Sequence, residues 1–223
     1  MGPRSTGPFI DLVVSQCQEI YGARHDIDFP KMLICSQPAP FYEDRPVDHV
    51  ALEAAVREGL LHLQSAGADF LAIACNTAHI YYESLAATVD VPLLSIVEST
   101  VRAIPRQAGA LALLAARPTV EAGIFQDALR GAGHDLREID WRDQVDALLA
   151  ATRESTAPAS FQRFWDSLFE QARAAGVDTV VVACLDLSGI LRYAVTDLAL
   201  VDAANCLARS IVEEWVARRD ARS

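Results

Sequence analysis

The chain alternates between short, continuous apolar runs and longer stretches in which apolar residues recur every three or four positions. The runs at 70–74, 91–95, 110–114 and 179–183 read as buried strands, the type found in parallel sheets covered on both faces. The stretches at 9–21, 47–66, 78–87, 98–107, 120–132, 159–175 and 203–219 carry the helical period. Residues 31–36, 136–139 and 200–202 add three shorter strands, and 140–158 is polar and partly helical. Gly67 closes one helix, Gly131 and Gly133 close another, and Thr119 is placed to cap a helix. The two glycines and two prolines within residues 1–8, with Ser5 and Thr6, read as a loop, and 37–46 reads as a long polar loop after a strand.

Strands alternating with helices predict an α/β protein. One stretch has an echo. Ala66-Gly67-Ala68-Asp69-Phe70-Leu71-Ala72-Ile73-Ala74-Cys75 and Ala175-Gly176-Val177-Asp178-Thr179-Val180-Val181-Val182-Ala183-Cys184 share Ala-Gly-x-Asp-x-x-x-x-Ala-Cys without a gap. The cysteines stand 109 residues apart (184 minus 75), about one small domain. The repeat predicts two similar parallel-sheet domains, 1–98 plus 203–223 carrying Cys75 and 99–202 carrying Cys184. Ligands of open α/β sheets sit at the carboxyl ends of strands. Both cysteines are expected there, facing one cleft between the halves.

Composition narrows the function. Of 223 residues, 52% are hydrophobic and 22% charged, enough for a sizeable core. A net charge of −11 argues against nucleic acid or an anionic membrane as partner. No secretory signal and no run of about 18 apolar residues is visible. The start, Met1-Gly2-Pro3-Arg4-Ser5-Thr6, formally fits an N-myristoylation pattern, but Pro3 is a poor neighbour for it. Cys17, Cys35, Cys75, Cys184 and Cys206 are odd in number and form no CxxC pair, which predicts free thiols in a reducing cytoplasm and no metal site.

Two thiols at matching strand ends suit inversion of an α-carbon, which needs a base on one face and an acid on the other. A free thiol titrates near ~8.5, so a modest downward shift supplies thiolate at neutral pH. Helix N-termini after each strand, around Asn76-Thr77 and Ser188-Gly189, would hold a carboxylate. Lys31 is the only lysine and has no motif around it for a pyridoxal Schiff base; GxGxxG and P-loop motifs are absent. A cofactor-free mechanism is predicted. Cys17, Cys35 and Cys206 read as core, His79 as lining or capping the pocket, and His25, His49, His62 and His134 as surface or loop residues.

Cys75-Asn76-Thr77-Ala78-His79 is similar, nearly letter for letter, to the first catalytic motif of the aspartate/glutamate racemase superfamily, with the cofactor-independent aspartate racemases closest. The resemblance spans almost the whole chain. Residues 1–6 resemble the family's first substrate loop, Gly-Met-Gly-Pro-x-x-Thr; Asp44-Arg45 a substrate-contacting Asp-Arg; residues 113–119 a Leu-Ala-Thr-x-x-Thr turn that keeps Thr119; and Asp202 an aspartate before the last helix. It implies two α/β domains with a pseudo-twofold relation, often in a homodimer. Cys75 and Cys184 would be the acid–base pair, and Asn76, Thr77 and Thr119 would hold the α-carboxylate. Thr6 would belong to the substrate loop, Arg45 would meet a distal carboxylate, and Asp186 would orient or tune Cys184. The substrate implied is a small amino acid or dicarboxylate. Three departures stand out. The family's first strand normally precedes the loop at residue 1, so the first sheet is expected to be a strand short unless an upstream start or another segment supplies it. Leu185-Asp186 stands where Thr-Glu is usual, and the lysine that grips the distal carboxylate in some members has no counterpart. The leading expectation is an amino-acid racemase; another isomerase or a decarboxylase on this scaffold, or a non-catalytic member, are the alternatives.

Overall fold

The computed structural model describes residues 3–42, 45–154 and 159–221. The chain divides into two units, Met1–Ile96 with Ala204–Ser223, and Val97–Ala203.

In the first unit, α1 (Pro3–Tyr21) is helical well before residue 9, so the loop expected over 1–8 is corrected for residues 3–8; Met1 and Gly2 lie outside the described residues. Pro8 removes one backbone donor, but the stripe Phe9, Leu12, Val13, Cys17 and Ile20 packs with Ala208, Ile211, Val212 and Val216 of α10 (Ala203–Ala221), and that burial outweighs local propensity. Helix α2 (His49–Ser65) starts at Asp48, whose carboxylate accepts the Ala51 N–H at 3.0 Å. Its face of Leu52, Val56 and Leu60 packs on β1 (Leu71–Ala72) and β2 (Leu93–Leu94) with Ile73, Ala78 and Leu85. These two strands pair in parallel, Leu71 opposite Leu93 and Ala72 opposite Leu94. After β1 a 3-10 turn (Thr77–Tyr81) runs into α3 (Tyr82–Ala86), and β2 leads into α4 (Ile96–Ala103).

The strand expected over 31–36 is corrected. The segment carries no strand pairing, and Met32, Leu33 and Ile34 are 37%, 36% and 51% exposed. A groove of about 470 Å³ is lined by this segment, by residues 70–74, by Val56 and Leu60 of α2 and by Phe9, Ile10 and Val13 of α1. A strand needs a ladder partner within about 5 Å, and this segment has none among the described residues. Among the described residues the first sheet has two strands, paired over two residues each.

The second unit holds a four-stranded parallel sheet in the order β4-β3-β5-β6, from β3 (Leu111–Ala115), β4 (Leu136–Arg137), β5 (Thr179–Ala183) and β6 (Ala199–Asp202). All five residues of β5 are buried, as the run of valines predicted. Helices α7 (Arg142–Glu154) and α8 (Ala159–Ala174) cover one face with Leu148, Phe161, Trp165 and Phe169. The helix expected over 120–132 is broken: Gly123 at φ +72° separates α5 (Arg117–Glu121) from α6 (Ile124–Gly131). Thr119 lies inside α5, where Ala116 is the cap residue, so its reading as a cap is corrected.

The echo has a physical content. Gly67 and Gly176 both adopt left-handed backbone, at φ +86° and +68°. In each case the glycine N–H and the next N–H close back on the helix, Gly67 on Gln64 and Ala68 on Leu63, Gly176 on Arg173 and Val177 on Ala172. The same helix stop thus feeds β1 and β5. In the second unit Asp178 also accepts the Ala110 N–H at 2.9 Å, and a side chain at Gly109 would collide with that carboxylate.

Candidate active site

Cys75 lies beyond the end of β1, half-buried, with its N–H donated to the Ile73 carbonyl at 2.8 Å. Asn76 follows in helical conformation (φ −64°, ψ −45°) and its carbonyl accepts the His79 N–H at 3.0 Å. The Asn76 side chain is 3% exposed, yet neither its Nδ2 nor its Oδ1 has a hydrogen-bond partner among the described residues. Burying such a group unmatched costs about 1–3 kcal/mol. Thr77 is also buried.

His79, read from sequence as lining or capping, is a buried tie. Its Nδ1 lies 2.8 Å from the Cys75 carbonyl and its Nε2 accepts the Ile96 N–H at 3.0 Å, which fixes the neutral Nδ1–H tautomer. The ring stacks on Tyr82 at 5.6 Å. Burial drives its pKa down to about 4, against the opposing pull of the Cys75 and Leu94 carbonyls. Tyr81 was not singled out from sequence. Its hydroxyl is 2.7 Å from Nδ1 of His49, which is exposed, in line with its surface reading. Burial, then the nearby Glu53, Cys75 and Asp48, push the Tyr81 pKa up.

Thr6 is half-buried in α1 and lines the groove, not a loop. Arg45 is exposed, its guanidinium 4.5 Å from the Tyr42 ring centre; Asp44 lies outside the described residues.

In the second unit, Cys184 is half-buried in extended backbone (φ −153°, ψ 123°) and forms the N-cap of α9 (Leu185–Ile190), directly after β5. Ser188 and Gly189 fall inside α9, which corrects their placement in an anion-binding turn. The Ser188 hydroxyl donates to Asp202 at 2.6 Å, and the Cys184 carbonyl accepts the Ser188 N–H at 2.9 Å. Leu185 is buried and Asp186 half-buried. Ala115 of β3 is opposite Ala183 of β5, so Thr119 and Cys184 follow adjacent strand ends; Thr119 is fully buried. In the first unit Asn76, Thr77 and His79 thus follow Cys75 in one turn, and in the second Asp186 and Ser188 follow Cys184 in α9, with Asp202 accepting from Ser188.

Residues 1–211 match the profile of the Asp/Glu/Hydantoin racemase family. The chain belongs to that family. It is 40% identical over 218 residues to the broad-specificity amino-acid racemase RacX of Bacillus subtilis (strain 168), spanning 97% of this chain and 96% of that protein. Among solved structures it shares its fold with the Picrophilus torridus aspartate racemase, with a TM-score of 0.79 at 21% identity over 96% of this chain and 90% of that one. An aspartate racemase homologue from Pyrococcus horikoshii OT3 gives 0.72 at 20% identity, over 95% and 94%. The expected α/β fold with parallel sheets and the expected class of enzyme, an amino-acid racemase of the Asp/Glu type, both stand. No helix among the described residues is long and apolar enough to cross a membrane.

Proposed function

We propose that the chain racemises amino acids without a cofactor by moving the α-proton between Cys75 and Cys184. One cysteine, as thiolate, takes the proton from Cα and leaves the electron pair delocalised into the carboxyl group. The other, as thiol, delivers its proton to the opposite face. The centre inverts, thiolate and thiol have exchanged places, and no electron is gained or lost overall. The observation that carries this reading is Asn76. Its buried amide, beside the half-buried Cys75, offers a donor and an acceptor that no described residue satisfies. A carboxylate and an ammonium group on one carbon match that pair. Thr77 and Thr119 complete the grip on the α-carboxylate, Arg45 and Thr6 serve the distal part of the substrate, and Asp186 orients Cys184.

The substrate range we propose is broad, not aspartate alone. Support comes from the relative named for broad specificity, from Leu185, which puts a buried apolar side chain after the second cysteine, and from the single lysine, Lys31. A homodimer in a reducing cytoplasm, where all five thiols stay free, is part of the same proposal.

Exchange of the α-proton in deuterium oxide, followed by NMR with a panel of amino acids and coupled to chiral analysis, tests it. Wild type should exchange and invert several amino acids, and Cys75→Ser and Cys184→Ser should each lower inversion by about 100-fold or more, the scale of removing a positioned acid or base. Inversion by Cys184→Ser at the wild-type rate sinks the two-base mechanism. Release of carbon dioxide in place of inversion identifies a decarboxylase.

A further inference from the structure

We propose that His79 is a positioning residue for Cys75, acting as a side-chain rung where the β1–β2 ladder has opened. The inference rests on Cys75 being one of the two proton carriers. The parallel ladder pairs only Leu71 with Leu93 and Ala72 with Leu94. Cys75 lies three residues beyond the last rung, and Ile96 two beyond its partner. Strand pairing no longer spans the two segments there. The imidazole does, with Nδ1–H donating to the Cys75 carbonyl at 2.8 Å and Nε2 accepting from the Ile96 N–H at 3.0 Å. One neutral tautomer satisfies both bonds, and the ring is held by stacking on Tyr82, whose hydroxyl donates to the Leu93 carbonyl at 2.7 Å.

The ring therefore fixes the Cys75 peptide plane to the start of α4, and with it the direction from which the thiol meets a substrate. Burial that keeps the imidazole neutral supports this role over one in proton transfer. Displacing a reacting group by about 1 Å can cost on the order of 100-fold in rate, so a clamp of this kind has leverage out of proportion to two hydrogen bonds.

Two variants of the full chain separate the bonds. His79→Asn places an amide N–H near the position of Nδ1–H and keeps the bond to the Cys75 carbonyl. His79→Gln places an amide oxygen near Nε2 and keeps only the bond from Ile96. Iodoacetamide labelling of each cysteine, resolved by peptide mass against pH, is read beside kcat, KM and Tm. The expected result is that His79→Gln shifts the rate or pH midpoint of labelling at Cys75 and not at Cys184, and lowers kcat by about 10–100-fold. His79→Asn, which cuts the tie at its Ile96 end, should shift Cys75 labelling and lower kcat in the same way. Loss of activity that only follows Tm, with Cys75 labelling unchanged in both variants, overturns the proposal in favour of a merely structural role. Should His79→Gln fail to fold, His79→Asn decides alone: altered labelling at Cys75 and not at Cys184 in a folded protein supports the clamp, and wild-type labelling at Cys75 overturns it. Inversion that survives Cys75→Ser would sink the underlying mechanism, while the labelling comparison would still report on the clamp.

Discussion

The two units deliver a cysteine by the same helix, glycine and strand, but on very different supports. In the second unit β5 is five residues long, buried throughout, and flanked by β3 and β6, so Cys184 follows a strand laddered on both edges. In the first, β1 is paired over two residues with β2 alone among the described residues, and its residues line a groove. A motif repeated in sequence does not carry its rigidity with it; the neighbours supply that. Where the ladder is short, side chains take over, and the His79 tie is the clearest case.

The largest effects that test this contrast come from identical substitutions in the two sheets. Leu114 in β3 and Leu71 in β1 are both buried. Leu→Ala in a core costs about 2–5 kcal/mol, and the spread reflects how far the surroundings relax into the cavity. Leu114→Ala opens a cavity in the cluster that β3 shares with α7 and α8 and should fall near ~4–5 kcal/mol. Leu71→Ala borders the groove, where residues 31–37 have room to adjust, and should fall near ~2–3 kcal/mol. Urea unfolding of both variants checks this. Equal losses would mean that the short sheet is as well supported as the long one.

Acid is the next lever. The folded pKa of His79, about 4, lies below its ordinary value of 6.5. The folded state thus prefers the neutral ring. This contribution is complete above pH ~6.5 and is lost as pH falls through the window down to about 4, because the unfolded chain binds the proton first. At 1.36 kcal/mol per unit the loss is roughly 3 kcal/mol at full protonation. The ring faces the Tyr82 ring, the carbonyls of Cys75 and Leu94 and the Ile96 N–H, and no carboxylate is among the causes of its shift. Comparing urea midpoints between pH 7 and 4.5 for wild type and His79→Asn isolates it, since the other titrating groups are common to both. Wild type should lose more stability than the variant; parallel curves would remove His79 as the source of acid lability.

Much of this architecture was legible in the residues. The valine run 179–183 is β5 to the residue, because a strand buried on both faces needs no alternation to reveal it. What failed were places where distant contacts outvote local signals. Gly7 and Pro8 read as a loop, yet the stripe from Phe9 to Ile20 holds α1 helical against α10. Residues 31–36 have strand composition but no partner. Gly123 splits a helix that its apolar pattern made look continuous. In the candidate site, the Cys75-Asn76-Thr77 motif was visible, whereas the His79 tie depends on Ile96, 17 residues away, and no local pattern reports it.

The smallest effect is also the sharpest between the units. Cys184 occupies the N-cap of α9 with extended backbone and no side-chain cap bond, while Cys75 is followed by Asn76 as the cap of its own turn. Serine is among the best N-cap residues, worth about 0.5–2 kcal/mol over a residue that cannot cap. Cys184→Ser should therefore hold or gain stability, by up to ~1 kcal/mol, because the new hydroxyl can accept from the first turn of α9. Cys75→Ser has no such position to exploit. It puts a hydroxyl at a half-buried site and should lose a few tenths to about 1 kcal/mol. Thermal unfolding of the two variants measures the difference, and the opposite order would mean that the Cys184 backbone does not cap α9 in solution. The pair also bears on the mechanism: a Cys184→Ser protein as stable as wild type and devoid of inversion separates loss of the thiol from loss of the fold.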